Sequence, residues 1–290
     1  MIDIVTVVCT RDKLEMQLQA HTMNMFLSDS CVHYVVIEDN DTSYGEWLTL
    51  LLPHYTRHQL KLVHDFNFKS LPGVLNSGYV RQQQIKLLMA NYVHSEYYMI
   101  LDTKNIFFKP LHIKDIPIVH GNKAICNIKD AHIKEYNGWY DFVCNMFGFD
   151  MPQQVPRAMT PFILDTQIVR SILGKMDVTE ILKRVRLPDL LPYREPSEFL
   201  LYSIYVYNKM PAVFNKEYNA PDHYTWFPDF NDADQTATMF EDVENNKLII
   251  GFHRLFIQNH KDKALECYNW LLTKGIKKEY LNPVFLIDKE

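Results

Sequence analysis

An α/β fold, with buried strands flanked by helices, is predicted by three observations. The β-branched, apolar runs Ile2–Val8 and Val32–Ile37 bracket a stretch with helical spacing. A third run, Tyr98–Leu101, is apolar at every position and stops at the carboxylate of Asp102. A strand apolar on both faces is buried on both faces, as central strands of α/β sheets are. Finally, no internal repeat, low-complexity tract or linker interrupts the chain, so one domain over 1–290 is expected, with a front half at 1–110 and a back half at 111–290.

In order, Ile2–Val8 is the first strand and Cys9-Thr10-Arg11-Asp12 its turn. Residues 14–27 place Leu14, Leu18 and Met25 at helical spacing, and Val32–Ile37 is the second strand, ending in Glu38-Asp39-Asn40-Asp41. Strand, helix and strand read as a βαβ unit with a right-handed parallel crossover. Trp47–Leu52 is a short apolar segment stopped by Pro53, and Leu60–His64 is a third strand, as in a nucleotide-binding half-domain. From Gly78 a helix sets Ile85, Leu88, Met89 and Tyr92 on one face, with Arg81 and Gln82–Gln84 at its start.

The back half is more irregular. Short strands are expected at Ile116–Val119 and Ala124–Ile128, and an aromatic loop at Tyr136–Tyr140. Helical spacing resumes at Ile163–Leu173 and Val178–Val185. Pro196-Ser197-Glu198 opens a helix to about Asn208, with Ser197 able to cap it and Glu198 favoured at the positive end of its dipole. Lys247–Phe252 is one more strand, and Ala264–Lys274 a closing helix stopped by Gly275.

Composition narrows the class of molecule. The chain is 47% hydrophobic and 22% charged, ample for a core. A net charge of -5 without a basic block argues against nucleic acid as a partner. Five scattered cysteines with no CxxC pair suit a reducing compartment rather than a disulfide framework or zinc site. The first eight residues lack a secretory pattern, and no apolar run is long enough to span a bilayer. A soluble, cytoplasmic protein is expected.

Asp102 is the focus, because ligands of open α/β sheets sit beyond the carboxyl ends of the strands. Two readings stand side by side: a group aimed at a ligand, and an acid capping its own turn. Asp39, after the second strand, carries the same pair of readings. On the residues alone His253 is a hydrogen-bonded strand end and Glu198 a first-turn helix acid. Aromatics, at 13%, line carbohydrate or nucleotide sites in some chains and more commonly fill the core, and Trp139, Trp226 and Tyr224 carry both readings. Asp165, Asp222 and His223 are reserve acids and bases.

Leu101-Asp102-Thr103-Lys104-Asn105, Gln83-Gln84-Ile85-Lys86-Leu87 and Ser197-Glu198-Phe199-Leu200-Leu201-Tyr202, in their order along the chain, resemble GT-A glycosyltransferases of a bacterial and phage family with LDxKN, QQxKL and SExxLY segments. Thr160-Pro161-Phe162 is similar to the segment that opens that family's acceptor-side helix. The resemblance implies a GT-A, Rossmann-like fold with a mixed central sheet flanked by helices. It implies hexosyl transfer from a nucleotide-diphosphate sugar, UDP-linked, to a glycan or other hydroxyl acceptor. In such enzymes a DxD-like motif holds Mn²⁺ or Mg²⁺, hard cations that prefer oxygen ligands and offset the leaving group's charge. Here Asp102 keeps the first carboxylate while Lys104 replaces the second, so either Asp102 binds the ion with Asn105 and His253, or Lys104 supplies positive charge itself. Thr10, Arg11 and Asp39 fall where base and ribose are held, and Arg81 and Gln84 near the diphosphate, with Lys86 a weaker candidate that also reads as solvated. Glu198 falls where inverting members keep a general base. A silent nucleotide-sugar binder with the same fold is the alternative.

Overall fold

The computed structural model describes residues 2–38, 44–64, 78–113, 144–145, 147–150, 160–175, 197–210, 224–226, 236–252 and 254–285. The main sheet has five strands, β1 (Ile2–Val8), β2 (Val32–Ile37), β3 (Gln59–His64), β4 (Tyr97–Leu101) and β6 (Phe162–Asp165), in the order β3-β2-β1-β4-β6. The first four run parallel, and β6 pairs antiparallel to β4. A smaller sheet, in the order β5-β8-β7, joins β5 (Asn105–Phe107), β7 (Tyr224–Trp226) and β8 (Ile249–Gly251). The turn carrying Asp102 is the link from β4 to β5, so it lies at the junction of the two sheets.

Alternation along the strands divides the core. Tyr98 and Ile100 of β4 face one cluster, with Val5, Val7, Phe162 and Leu164. It is covered by α3 (Gly78–Leu88), α4 (Thr166–Lys175) and α5 (Glu198–Lys209). Tyr97, Met99 and Leu101 face the opposite cluster, closed by α1 (Lys13–Phe26) and α2 (Tyr44–Leu51). A third cluster joins Leu18 of α1, the small sheet and the C-terminal helices. Those helices are α6 (Thr236–Asn246), α7 (Arg254–Asn259), α8 (Lys261–Thr273) and α9 (Lys278–Phe285). Among the described residues, no helix is long and apolar enough to cross a membrane.

The first four strands stand within a residue of where the sequence puts them, and Ser197 caps α5 by accepting from the Leu200 N–H. Elsewhere the structure departs from or completes the expectations. Residues 163–165, expected to open a helix, belong to β6, so Thr160-Pro161-Phe162 opens a strand and the helix waits until Thr166. A short apolar run fits either state, and pairing with the open edge of β4 decides it. Trp47 sits in a helix that begins at Tyr44. Tyr92, expected on the buried face of α3, lies beyond its end and is exposed. Gly275 ends α8 at φ +81, as expected, but α9 follows it. The expected segments at 116–119, 124–128, 136–140 and 178–185 lie outside the described residues.

His33, fully buried in β2, provides a pH test of this core. Burial lowers its pKa from 6.5 to about 3. A histidine depressed on folding contributes stability that is complete above pH 6.5 and lost as pH falls toward 3. The contribution amounts to about 4–5 kcal/mol over that window at about 1.4 kcal/mol per unit. In urea titrations at pH 7 and pH 4, the stability gap between wild type and His33→Gln is therefore expected to narrow with acid; parallel pH profiles would contradict the assignment.

Candidate active site

At the carboxyl edge of β4 the chain makes a tight turn. The Asn105 N–H donates to the Asp102 carbonyl at 2.9 Å, and the Asp102 N–H donates to Asn105 Oδ1 at 2.7 Å. Asn105 is thus the residue that closes the turn, and it is fully buried, with Nδ2 3.5 Å from the Thr160 carbonyl. The Asp102 side chain takes no part in closure. It is 35% exposed and lies 3.6 Å from Lys86 Nζ. Of the two readings of Asp102, the turn cap belongs to Asn105.

Lys86 is the residue that sequence reasoning undervalued. It lies in the interior of α3, where Gln83, Gln84, Ile85 and Leu87 are buried beside it. Its ammonium meets Glu198 Oε1 at 3.0 Å and packs over the Phe199 ring at 5.2 Å. With its amide oriented so that the nitrogen faces the acid, Gln83 donates to the same carboxylate. Glu198 is 1% exposed, in the first turn of α5, where the helix dipole favours its charge. Burial drives the Lys86 ammonium toward neutrality, but Glu198 and Asp102 outweigh it and hold its pKa above the ordinary 10.5. Burial also pushes the Glu198 carboxyl up, against the pull of Lys86. With two carboxylates facing one ammonium, Lys86 is charged at neutral pH. The polar run before it hid this residue: a lysine after Arg81 and Gln82–Gln84 reads as part of a solvated stripe unless a buried acid is known to face it.

Other candidates fall around this cluster or away from it. Thr10 and Arg11 form an exposed 3-10 turn directly after β1. The Arg11 carbonyl accepts from Arg254 at 3.2 Å, and Arg254 pairs with Glu15. Lys104 is half-buried, and its carbonyl accepts from Phe252 N at 3.3 Å, which ties the end of the small sheet to the turn. Lys104 and Thr103 line a small pocket with Glu15 and Arg254 over an apolar floor. Arg81 is half-buried and Gln84 buried on α3, while Gln82 donates to Glu38 at the end of β2 at 2.8 Å. Asp165, a reserve acid, is spent capping α4 through the Gln167 and Ile168 N–H groups at 2.8 and 2.9 Å. Trp226 and Tyr224 belong to β7. Asp39, Trp139, Asp222, His223 and His253 lie outside the described residues.

The donor set can be tested against the divalent cation that the resemblance implies. Mn²⁺ and Mg²⁺ require several oxygen ligands. Among the described residues no group of three His, Cys, Asp or Glu side chains is assembled to hold one. The Asn105 amide is committed to the turn, and Asp102 Oδ1 already faces an ammonium. His253, the third group of the implied ligand set, lies outside the described residues.

A family model described as a family of unknown function (DUF6492) matches residues 2–247. The chain belongs to this family. No curated protein matches it in sequence. Among solved structures, this DUF6492 chain is similar to the apo form of the WbbM bifunctional glycosyltransferase at TM-score 0.52 and 11% identity, covering 86% of this chain and 45% of that one. It therefore spans less than half of the WbbM chain. Mouse xyloside xylosyltransferase 1 matches at TM-score 0.51 and 10% identity over 86% of this chain and 96% of that chain. Galactosyltransferase LgtC, solved with donor and acceptor sugar analogs, matches at TM-score 0.50 and 11% identity over 87% of each chain. Identities this low carry fold alone, and the fold is that of GT-A glycosyltransferases.

Proposed function

We propose that this chain is a hexosyltransferase-like enzyme that moves a sugar from a UDP-linked donor to a carbohydrate or other hydroxyl acceptor. One observation carries the reading: three segments distant in sequence converge on a single charge cluster at the carboxyl edge of a GT-A sheet. The LDTKN segment supplies Asp102, the QQIKL segment Gln83 and Lys86, and the SEFLLY segment Glu198. A buried ion pair contributes little net stability against an apolar replacement, so its placement beside a half-exposed carboxylate fits function better than folding.

In this reading Asp102 is the group that touches the donor, accepting charge-assisted hydrogen bonds from sugar hydroxyls. Lys86, 3.6 Å away, orients that carboxylate. Glu198, placed behind Lys86 and nearly inaccessible, serves by holding the ammonium rather than by meeting an acceptor. As the acceptor hydroxyl attacks the anomeric carbon, the bond to the diphosphate oxygen breaks, negative charge gathers on the diphosphate, and the hydroxyl's proton passes to that departing oxygen. Lys104 and Arg81 are the basic groups assigned to meet it. Thr10 and Arg11, with Asp39, are assigned to the nucleoside, and Trp139 and Trp226 to the acceptor. Lys104 in place of a second carboxylate also favours a second reading, a silent nucleotide-sugar binder.

Release of UDP from a panel of UDP-sugars, with and without an added hydroxyl acceptor, separates the two. Turnover of at least one donor is expected; a rate abolished by EDTA would assign the leaving group's charge to a divalent cation, and a rate unchanged by EDTA would assign it to side chains such as Lys104. Binding of UDP without turnover of any donor would establish the silent binder. Neither binding nor turnover would overturn both.

A further inference from the structure

Four buried polar side chains from separate elements join behind the Asp102 turn. Gln19 comes from α1, Thr6 from β1, His33 from β2, and Tyr55 from the residue after the 3-10 turn Leu52–His54. The first three are 0% exposed and Tyr55 is 9% exposed. Polar groups are costly at such depth unless their bonds are made, so the direction of each bond can be worked out.

Gln19 Nε2 donates to the Asp102 carbonyl at 2.6 Å and to the Asn105 carbonyl at 3.1 Å, which uses both of its N–H bonds. Turning the amide over would set its oxygen against two carbonyl oxygens, so the orientation is unique. Gln19 Oε1 then accepts from the Thr6 hydroxyl at 2.9 Å. That commits the single Thr6 proton, and toward His33 Nε2, 3.0 Å away, Thr6 can only accept. His33 is therefore the Nε2–H tautomer, and its bare Nδ1 accepts from the Tyr55 hydroxyl at 2.7 Å. Every donor is used once, and all point the same way, from Tyr55 to the turn.

We propose that Tyr55, His33, Thr6 and Gln19 form a one-way hydrogen-bond relay that fixes the Asp102–Asn105 turn, with Gln19 as its positioning residue. Its catalytic consequence rests on the transferase reading, in which Asp102 touches the donor. A carboxylate displaced by about 1 Å costs on the order of 10²-fold in rate. The relay holds the turn by its two carbonyls, so it sets where Asp102 stands without contacting substrate.

Thr6→Val keeps the branched shape in β1 and removes the hydroxyl, which leaves Gln19 Oε1 and His33 Nε2–H without partners. Thr6→Ser keeps the hydroxyl. Hydrogen exchange on the full chain is expected to show the amides of residues 102–107 exchanging at least about tenfold faster in Thr6→Val than in wild type, the equivalent of one hydrogen bond. Thr6→Ser should restore slow exchange, and the amides of β2 and β3 should change far less than those of the turn. With an active donor, Thr6→Val should lower kcat about tenfold while KM stays within about twofold, because positioning rather than uniform binding is lost. Equal exchange in the Val and Ser variants would overturn the relay, as would acceleration shared evenly by turn and sheet. If wild type turns over no donor and the exchange contrast persists, the relay is supported and the transferase reading is the part that fails.

Discussion

Lys86→Met is expected to lower the unfolding free energy by about 3–5 kcal/mol, the usual cost of removing one partner from a buried ion pair. Methionine fills much of the same volume, so the loss comes from Glu198, left 1% exposed without its ammonium. Gln83 still donates to that carboxylate but supplies no charge. The variant escapes by keeping Glu198 protonated. Its folded pKa rises further above the unfolded value, so stability is greatest in acid and is lost as pH rises through the raised pKa. Wild type differs: Lys86 has its own pKa raised, and its contribution is complete below 10.5 and lost only above it. Urea titrations from pH 5 to pH 8 should show the gap between variant and wild type widening with pH. Adding Glu198→Leu to the variant should close most of the gap by removing the stranded acid. A single variant as stable as wild type at pH 8 would show that the pair does not hold a buried charge.

Asp102→Asn is expected to leave the fold intact and to lower kcat/KM by about 10²–10³-fold, the cost of losing one electrostatic group aimed at the reacting centre. The turn bonds at this position run through the Asp102 N–H and carbonyl, to Asn105 and Gln19, and they survive the substitution. Unchanged thermal unfolding together with lost turnover would distinguish a site residue from a structural one. Wild-type turnover in this variant would remove Asp102 from the chemistry.

These effects meet at a site only partly legible in the sequence. Strands β1, β2 and β4 stand out because each is largely apolar on both faces, while β3 is marked only by Leu60, Leu62 and Val63, and the acid ending β4 marks the ligand edge of the sheet. Phe162–Asp165 has the same apolar density, and only its pairing with the exposed edge of β4 makes it a strand. Asn105 looks like a ligand donor in the LDxKN segment, but a turn closed by a side-chain amide leaves no periodic trace. Lys86 and Glu198 are 112 positions apart, and each alone reads as an ordinary helix residue. Their significance depends on α3 and α5 packing side by side over the sheet, a tertiary fact that no local pattern encodes. The relay through Thr6 and His33 is hidden likewise, because a single threonine or histidine in a strand conforms to strand propensity.

The most direct test is a crystal structure of the chain soaked with a UDP-sugar. The donor is expected beyond the carboxyl ends of β1 and β4, with a sugar hydroxyl within hydrogen-bond distance of the Asp102 carboxylate and Lys86 still paired with Glu198. A nucleotide seated elsewhere, with Asp102 touching only solvent, would contradict the account.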